Sequence, residues 1–168
     1  MIKVKLTANG LTMLNQKIGE TERLVKEIQE EKEVAYWGTG DGWHDNSIYN
    51  QLIDKEFRAS KELNDLLKRR DNAEIVKIDK RNIKSVQIGS IVSIQQTFLT
   101  NKLSRNFIWE IVGFLESDPK NLKIAYDTPL GAILLGKCKG EMAQITLPNG
   151  TAMIEILDLY ENWEKIQK

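Results

Sequence analysis

Apolar side chains fall into two periods along this chain, and the change of period divides it. From Thr7 to Trp37 there is no proline, and Leu11, Leu14, Ile18, Thr21, Val25, Ile28, Lys32 and Ala35 follow alternating steps of three and four. That spacing is one stripe on a helix, held for almost four heptads. The stripe resumes at Tyr49, Leu52, Glu56, Ala59, Leu63, Leu66, Arg70 and Ala73. Two seams of near-equal length around a glycine-rich connection predict an antiparallel helical hairpin, a coiled coil, over residues 1–76. Its tip loop falls at 37–46, and Thr7 is placed to cap the first helix through its hydroxyl. Lys32 and Glu56 occupy core-type positions near the tip, where polar residues weaken a seam and fix its register. The other faces are Glu, Lys, Arg, Asn and Gln. They leave little apolar surface to bury elsewhere, so the hairpin is expected to project into solvent.

Beyond the segment KIDKRNIK, a linker at 77–84, the period becomes two. Val86, Ile88, Ile91, Val92 and Ile94 lie around a Gly-Ser turn; Phe107 to Val112 and Leu122 to Tyr126 follow as further runs. Met142–Leu147 and Met153–Leu159 flank an Asn-Gly pair, a strong short-hairpin signal. Between the third run, Leu122 to Tyr126, and the fourth, Met142–Leu147, Asp127 to Gly136 reads as one short helix with Thr128 as cap, Pro129 first and Gly136 closing it. Residues 85–168 are therefore expected to form a small antiparallel sheet with one helix, and the chain is α+β in class.

Composition narrows the function. The 168 residues hold 24 basic and 24 acidic side chains, which argues against independent binding of duplex DNA by bulk charge. A single cysteine, Cys138, cannot form an internal disulfide and has no clustered ligands; it is expected to be a buried or half-buried small residue. The opening MIKVKLT lacks the apolar run of a secretion signal, and no uninterrupted apolar stretch reaches about 18 residues. A cytoplasmic protein without a membrane span is expected.

The candidate chemistry sits in GTGDGWHDN, from Gly38 to Asn46. Magnesium takes hard oxygen ligands and keeps much of its water, so one or two carboxylates from a partner suffice to help hold it. No Lys or Arg lies between Lys32 and Lys55 to neutralise Asp41 and Asp45. Gly38, Gly40 and Gly42 allow positive φ and a close approach to another surface. The plain alternative is turn and cap chemistry, for which Gly and Asp are common and Asp45 or Asn46 a good helix cap. His44 has no second ligand at suitable spacing and reads as a solvated loop residue. Trp37 and Trp43 read as packing over the hairpin end, or Trp43 as stacking on a base or a channel wall. Tyr49 falls on the seam. Lys55, Arg58 and Lys61 read as a solvated face, with contact to RNA or a channel as the alternative.

These features together resemble the Gre-type transcript cleavage factors of bacterial RNA polymerase. LTANGLTML (Leu6 to Leu14) is similar to that family's opening. Gly40-Asp41 and Asp45-Asn46-Ser47-Ile48-Tyr49 are similar to its tip signature Gly-Asp-x-x-Glu-Asn-x-Glu-Tyr. TPLGAILLGK (Thr128 to Lys137), the Asn-Gly hairpin and Ile154-Glu155-Ile156 also fit. The resemblance implies an FKBP-like C-terminal domain that docks at the rim of the polymerase secondary channel, with the hairpin entering the channel. Its tip acids, Asp41 and Asp45 here, would help hold a second magnesium shared with the polymerase. The polymerase then hydrolyses its own backtracked transcript, so the partners are polymerase and, indirectly, the RNA 3′ end. The tip contact would include Gly40, Gly42, Trp43, His44, Asn46 and Tyr49.

The tip also departs from the family. Three residues, Gly42, Trp43 and His44, separate the two acids where the family has two; Asp45 stands for a glutamate; Ile48 stands where the family has a third acid. Two functional readings follow: a cleavage-stimulating factor that is no enzyme by itself, or a Gre-like channel-binding protein that inhibits or modulates without cleavage. A third is an unrelated scaffold or chaperone module. The seam satisfies itself, so a monomer is expected.

Overall fold

The computed structural model describes residues 3–38, 46–78, 80–148 and 150–166. The chain divides into two compact units, one of Met1–Val4 and Leu11–Ala73, the other of Lys5–Gly10 and Glu74–Lys168. In chain order the first elements are β1 (Val4–Leu6), α1 (Ala8–Gly38), α2 (Ser47–Asp71) and β2 (Ala73–Ile75). The 31 residues of α1 give a helix about 46 Å long.

The helical unit follows the predicted seam. Leu14, Ile18, Thr21 and Ile28 on α1 are buried, as are Leu52, Ala59 and Leu66 on α2. Ile28, Leu52 and Ala59 share one apolar cluster with Val25 and Ala35 alongside. The helices run antiparallel: Asn46 bonds Ala35, Glu56 pairs Lys32, and Glu62 lies 3.5 Å from Lys17. Two expectations fail. Ala73 is not a seam position, because Asn72 caps α2, donating its N–H to the carbonyls of Lys68 and Arg70, and the chain turns into β2. The hairpin is also not short of exposed apolar surface. Val34, Trp37, Ile48 and Phe57 are 72%, 75%, 63% and 70% exposed.

Thr7 caps α1 as expected, accepting from the Gly10 N–H at 3.2 Å. It does more within its unit: its hydroxyl donates to Glu116 Oε2 at 2.8 Å and its N–H to Oε1 at 3.2 Å. The carboxylate fits only because two of its neighbours lack side chains. A Cβ on Gly10 or Gly113 would stand 2.4 or 2.3 Å from Glu116 Oε1.

The sheet unit contains β3 (Ile91–Phe98), β4 (Ser104–Val112), β5 (Lys123–Ala125), α3 (Pro129–Leu134), β6 (Met142–Leu147) and β7 (Gly150–Tyr160). The strand order is β5-β4-β3-β7-β6. All neighbours are antiparallel except β4 and β5. The parallel pair corrects the all-antiparallel expectation. After Val112 the chain turns through Leu115 (φ 65°), a single turn of 3-10 helix and Leu122 (φ 56°), and re-enters the sheet in the same direction. The Gly-Ser turn expected in the first run is present: Gln87–Ser90 forms it, Val86 is buried in irregular backbone before it, and β3 follows from Ile91.

One sheet face and α3 enclose the core. Val92, Ile94, Ile111, Leu134, Ala152, Ile154 and Ile156 are essentially buried, with Leu159 joining them. The break from Ile156 to Leu159 has a cause in register. Ser93 pairs Asp158 but Ile94 pairs Ile156, so Leu157 is an extra residue that shifts the inward face by one. The predicted α3 signals hold: Thr128 Oγ1 accepts from the Gly131 N–H at 3.1 Å, and Gly136 has φ 77°. Gly131 lets the helix lie on the Ala125 carbonyl, where a Cβ would come within 2.1 Å. Cys138 is exposed, against expectation, in a turn closed by a bond from its own N–H to Glu141. The α+β class, a long helical pair followed by an antiparallel-rich sheet domain, is the one expected. Among the described residues no helix is long and apolar enough to cross a membrane.

Candidate functional site: the tip end of the helical hairpin

Gly40, Asp41, Gly42, Trp43, His44 and Asp45, and with them both carboxylates expected to help hold magnesium, lie outside the described residues. The structure does define the two helix ends that carry them. Asn46 is the N-cap of α2, its Oδ1 accepting from the Tyr49 N–H at 3.0 Å. Its Nδ2 donates to the Ala35 carbonyl at 2.9 Å. Ala35 belongs to the last turn of α1, whose carbonyls lack partners within the helix. One buried side chain, 7% exposed, therefore satisfies a donor of one helix and an acceptor of the other. The sequence marked Asn46 as a cap, but nothing local announces the second bond.

Aromatic packing sits beside this bond. The Tyr36 and Tyr49 rings are 5.6 Å apart and tilted, which agrees with a seam role for Tyr49. Trp37 meets Tyr36 edge-on at 5.1 Å yet remains 75% exposed, so it does not pack closely over the hairpin end. One turn further from the tip, Lys32 and Glu56 form a close ion pair, and Gln29 donates to the other Glu56 oxygen at 2.8 Å. The two polar interruptions of the seam thus answer each other. The bond from Lys32, with help from Gln29, holds the Glu56 carboxyl below its ordinary value of 4.5.

The charge balance at this end is lopsided. Between Glu27 and Glu56 the sequence holds eight carboxylates and two lysines. One of those lysines, Lys32, is spent on Glu56. Lys55, Arg58 and Lys61 are exposed on α2, and none of the three forms an ion pair among the described residues. Among those residues no three His, Cys, Asp or Glu side chains gather around one point.

Two long antiparallel helices tied near their ends by a buried asparagine, followed in the chain by an antiparallel-rich sheet unit, define the class: a two-unit α+β chain built on a helical hairpin. Residues 80–161 match the C-terminal part of the transcription elongation factor family GreA/GreB. The chain is 33% identical over 147 residues, 86% of its length, to the transcription elongation factor GreA of Helicobacter acinonychis (strain Sheeba), spanning 84% of that protein. It is 31% identical over 80% of its length to the GreA of Clostridium perfringens (strain SM101 / Type A), spanning 81% of it. The crystal structure of the GreA factor homolog 1 (Gfh1) protein of Thermus thermophilus aligns with 95% of this chain and 99% of its own, at 18% identity and a TM-score of 0.44. The chain belongs to the GreA/GreB family of transcription elongation factors.

Proposed function

We propose that this factor binds bacterial RNA polymerase through its secondary channel and lends Asp41 and Asp45 to the polymerase active centre. It does not catalyse by itself: the polymerase hydrolyses its own backtracked transcript. The observation that carries the reading is the negative tip end. Between Glu27 and Glu56 the sequence carries eight carboxylates against two lysines, and one of those lysines pairs with Glu56. Asn46 fixes the tip's base by bonding both helices, so the ends of the loop are held at a set separation. Two aspartates are hard oxygen donors of the kind magnesium accepts. When bound, a second magnesium would activate water and stabilise the leaving oxygen of a phosphodiester. This chain's part is to supply negative oxygens and to hold the loop that carries them.

One observation favours a second reading, in which the factor occupies the channel and slows the polymerase. Ile48, which stands where the family resemblance has a third acid, is 63% exposed in the first turn of α2.

A backtracked transcription complex with labelled RNA separates the two. Shortening of the transcript from its 3′ end, faster with the factor than without it, is the expected result. Intact RNA with slower nucleotide addition would give the second reading instead.

A further inference from the structure

The four most exposed large apolar side chains among the described residues, Trp37, Val34, Phe57 and Ile48, all lie on the hairpin within about three turns of the tip loop. Two of them, Val34 on α1 and Ile48 on α2, line a groove of about 680 Å³, with Leu52 also on its wall. Glu27, Glu30 and Glu31 line the α1 side. Glu30 lies 3.7 Å from Lys26, whereas Glu27 and Glu31 have no ion-pair partner among the described residues. Among the described residues that line the groove, Lys55 is the one cation.

An apolar strip beside three carboxylates is costly to leave in water and selective in what covers it. Exposed apolar patches of this kind mark interaction sites on soluble proteins. A groove running between two helices accepts a third helix, which inserts apolar side chains at three- and four-residue steps. The acidic side demands Lys or Arg next to those side chains and disfavours an acidic partner. We propose that this groove docks a helical segment of the polymerase carrying apolar residues flanked by Lys or Arg. The inference rests on polymerase being the partner, and it assigns to the tip-proximal flank a binding role separate from that of the tip acids.

The test is binding of the full chain, labelled at the exposed Cys138, to purified core polymerase, read by fluorescence anisotropy at several salt concentrations. Val34→Ser with Ile48→Ser should weaken binding about tenfold. Both side chains are more than 60% exposed, so helicity by circular dichroism should be unchanged. Glu27→Gln with Glu31→Gln should weaken binding several-fold and flatten its salt dependence, with no apolar contact removed. A photocrosslinker at position 48 should capture a cationic, amphipathic helix of the polymerase. If the wild-type chain binds and both variants bind equally well, the groove proposal is overturned while the polymerase reading stands. A wild-type chain that does not bind core polymerase overturns that reading, and the groove proposal with it. Capture of a second copy of this chain, with a dimer in sedimentation that the serine variant dissolves, would also overturn it.

Discussion

The two units treat their apolar residues in opposite ways. In the sheet unit, Val86, Val92, Ile94, Ile111 and Leu134 are all at 0% exposure, enclosed between one sheet face and α3. In the helical unit the buried positions form a single-file seam interrupted by the Lys32–Glu56 pair, and the largest apolar side chains near the tip stay in solvent. A filled core stabilises one arrangement, and the unit's remaining exposed apolar side chains, such as Met142 at 57% and Leu99 at 51%, lie outside it. A thin seam holds two helices side by side with little burial and leaves surface and charge available at one end.

That contrast can be broken most sharply in the sheet core. Leu134→Ala removes a fully buried side chain and should cost about 2–5 kcal/mol. Hydrogen exchange should register the loss in the amides of β3 and β7. If the amides of α1 and α2 lose protection equally, the units are not independent in stability and the comparison fails.

At the tip the effects should be smaller. Asn46→Ala deletes a cap and a cross-helix bond together, a loss of about 1–2 kcal/mol. Its signature is a lower melting temperature for the helical signal at 222 nm, while Asn46→Asp, which keeps the cap acceptor but loses the donor, should recover part of it. Full recovery would show that the bond to Ala35 contributes nothing.

Smaller again is the seam ion pair. Lys32→Ala should cost about 0.5–1 kcal/mol, since both partners remain partly in water. The sign of its pH dependence follows from Glu56, whose carboxyl is held below 4.5 in the folded chain. Its contribution is fully present above pH 4.5 and is lost as pH falls through the lower folded value. The helical signal of the wild type should therefore weaken on acidification below pH 4.5 more than that of Glu56→Gln. Equal acid sensitivity would remove the pair from the account. Replacing both partners by leucine should hold or raise stability.

What could be read from the sequence was whatever repeats locally. The heptad steps placed every buried residue of the helical pair from Leu14 to Leu66, because each position reports one side of one helix. Thr128, Pro129 and Gly136 marked α3 for the same reason: cap, first turn and left-handed close are short-range chemistry. Long-range pairing was not legible. The three-residue strands β1 and β2 are too short to show a period, the parallel placement of β5 depends on a partner strand ten residues back, and the Leu157 bulge is fixed by β3. Nor could periodicity reveal that Val34 and Ile48 stay exposed, since both flank the seam by one helical step. At the site, Asn46 was legible as a cap, whereas its bond to Ala35 needed both helices in place. Asp41 and Asp45 rest on the sequence and the family.

The most direct test of the account is the magnesium dependence of transcript shortening in a backtracked complex. With wild-type factor, the magnesium concentration giving half-maximal shortening should fall well below that of the polymerase alone. With Asp41→Asn it should return most of the way, and with Asp45→Asn part of the way, while both variants still bind polymerase. An Asp41→Asn curve that overlays the wild type would contradict the claim that this hairpin lends its tip carboxylates to a partner's metal.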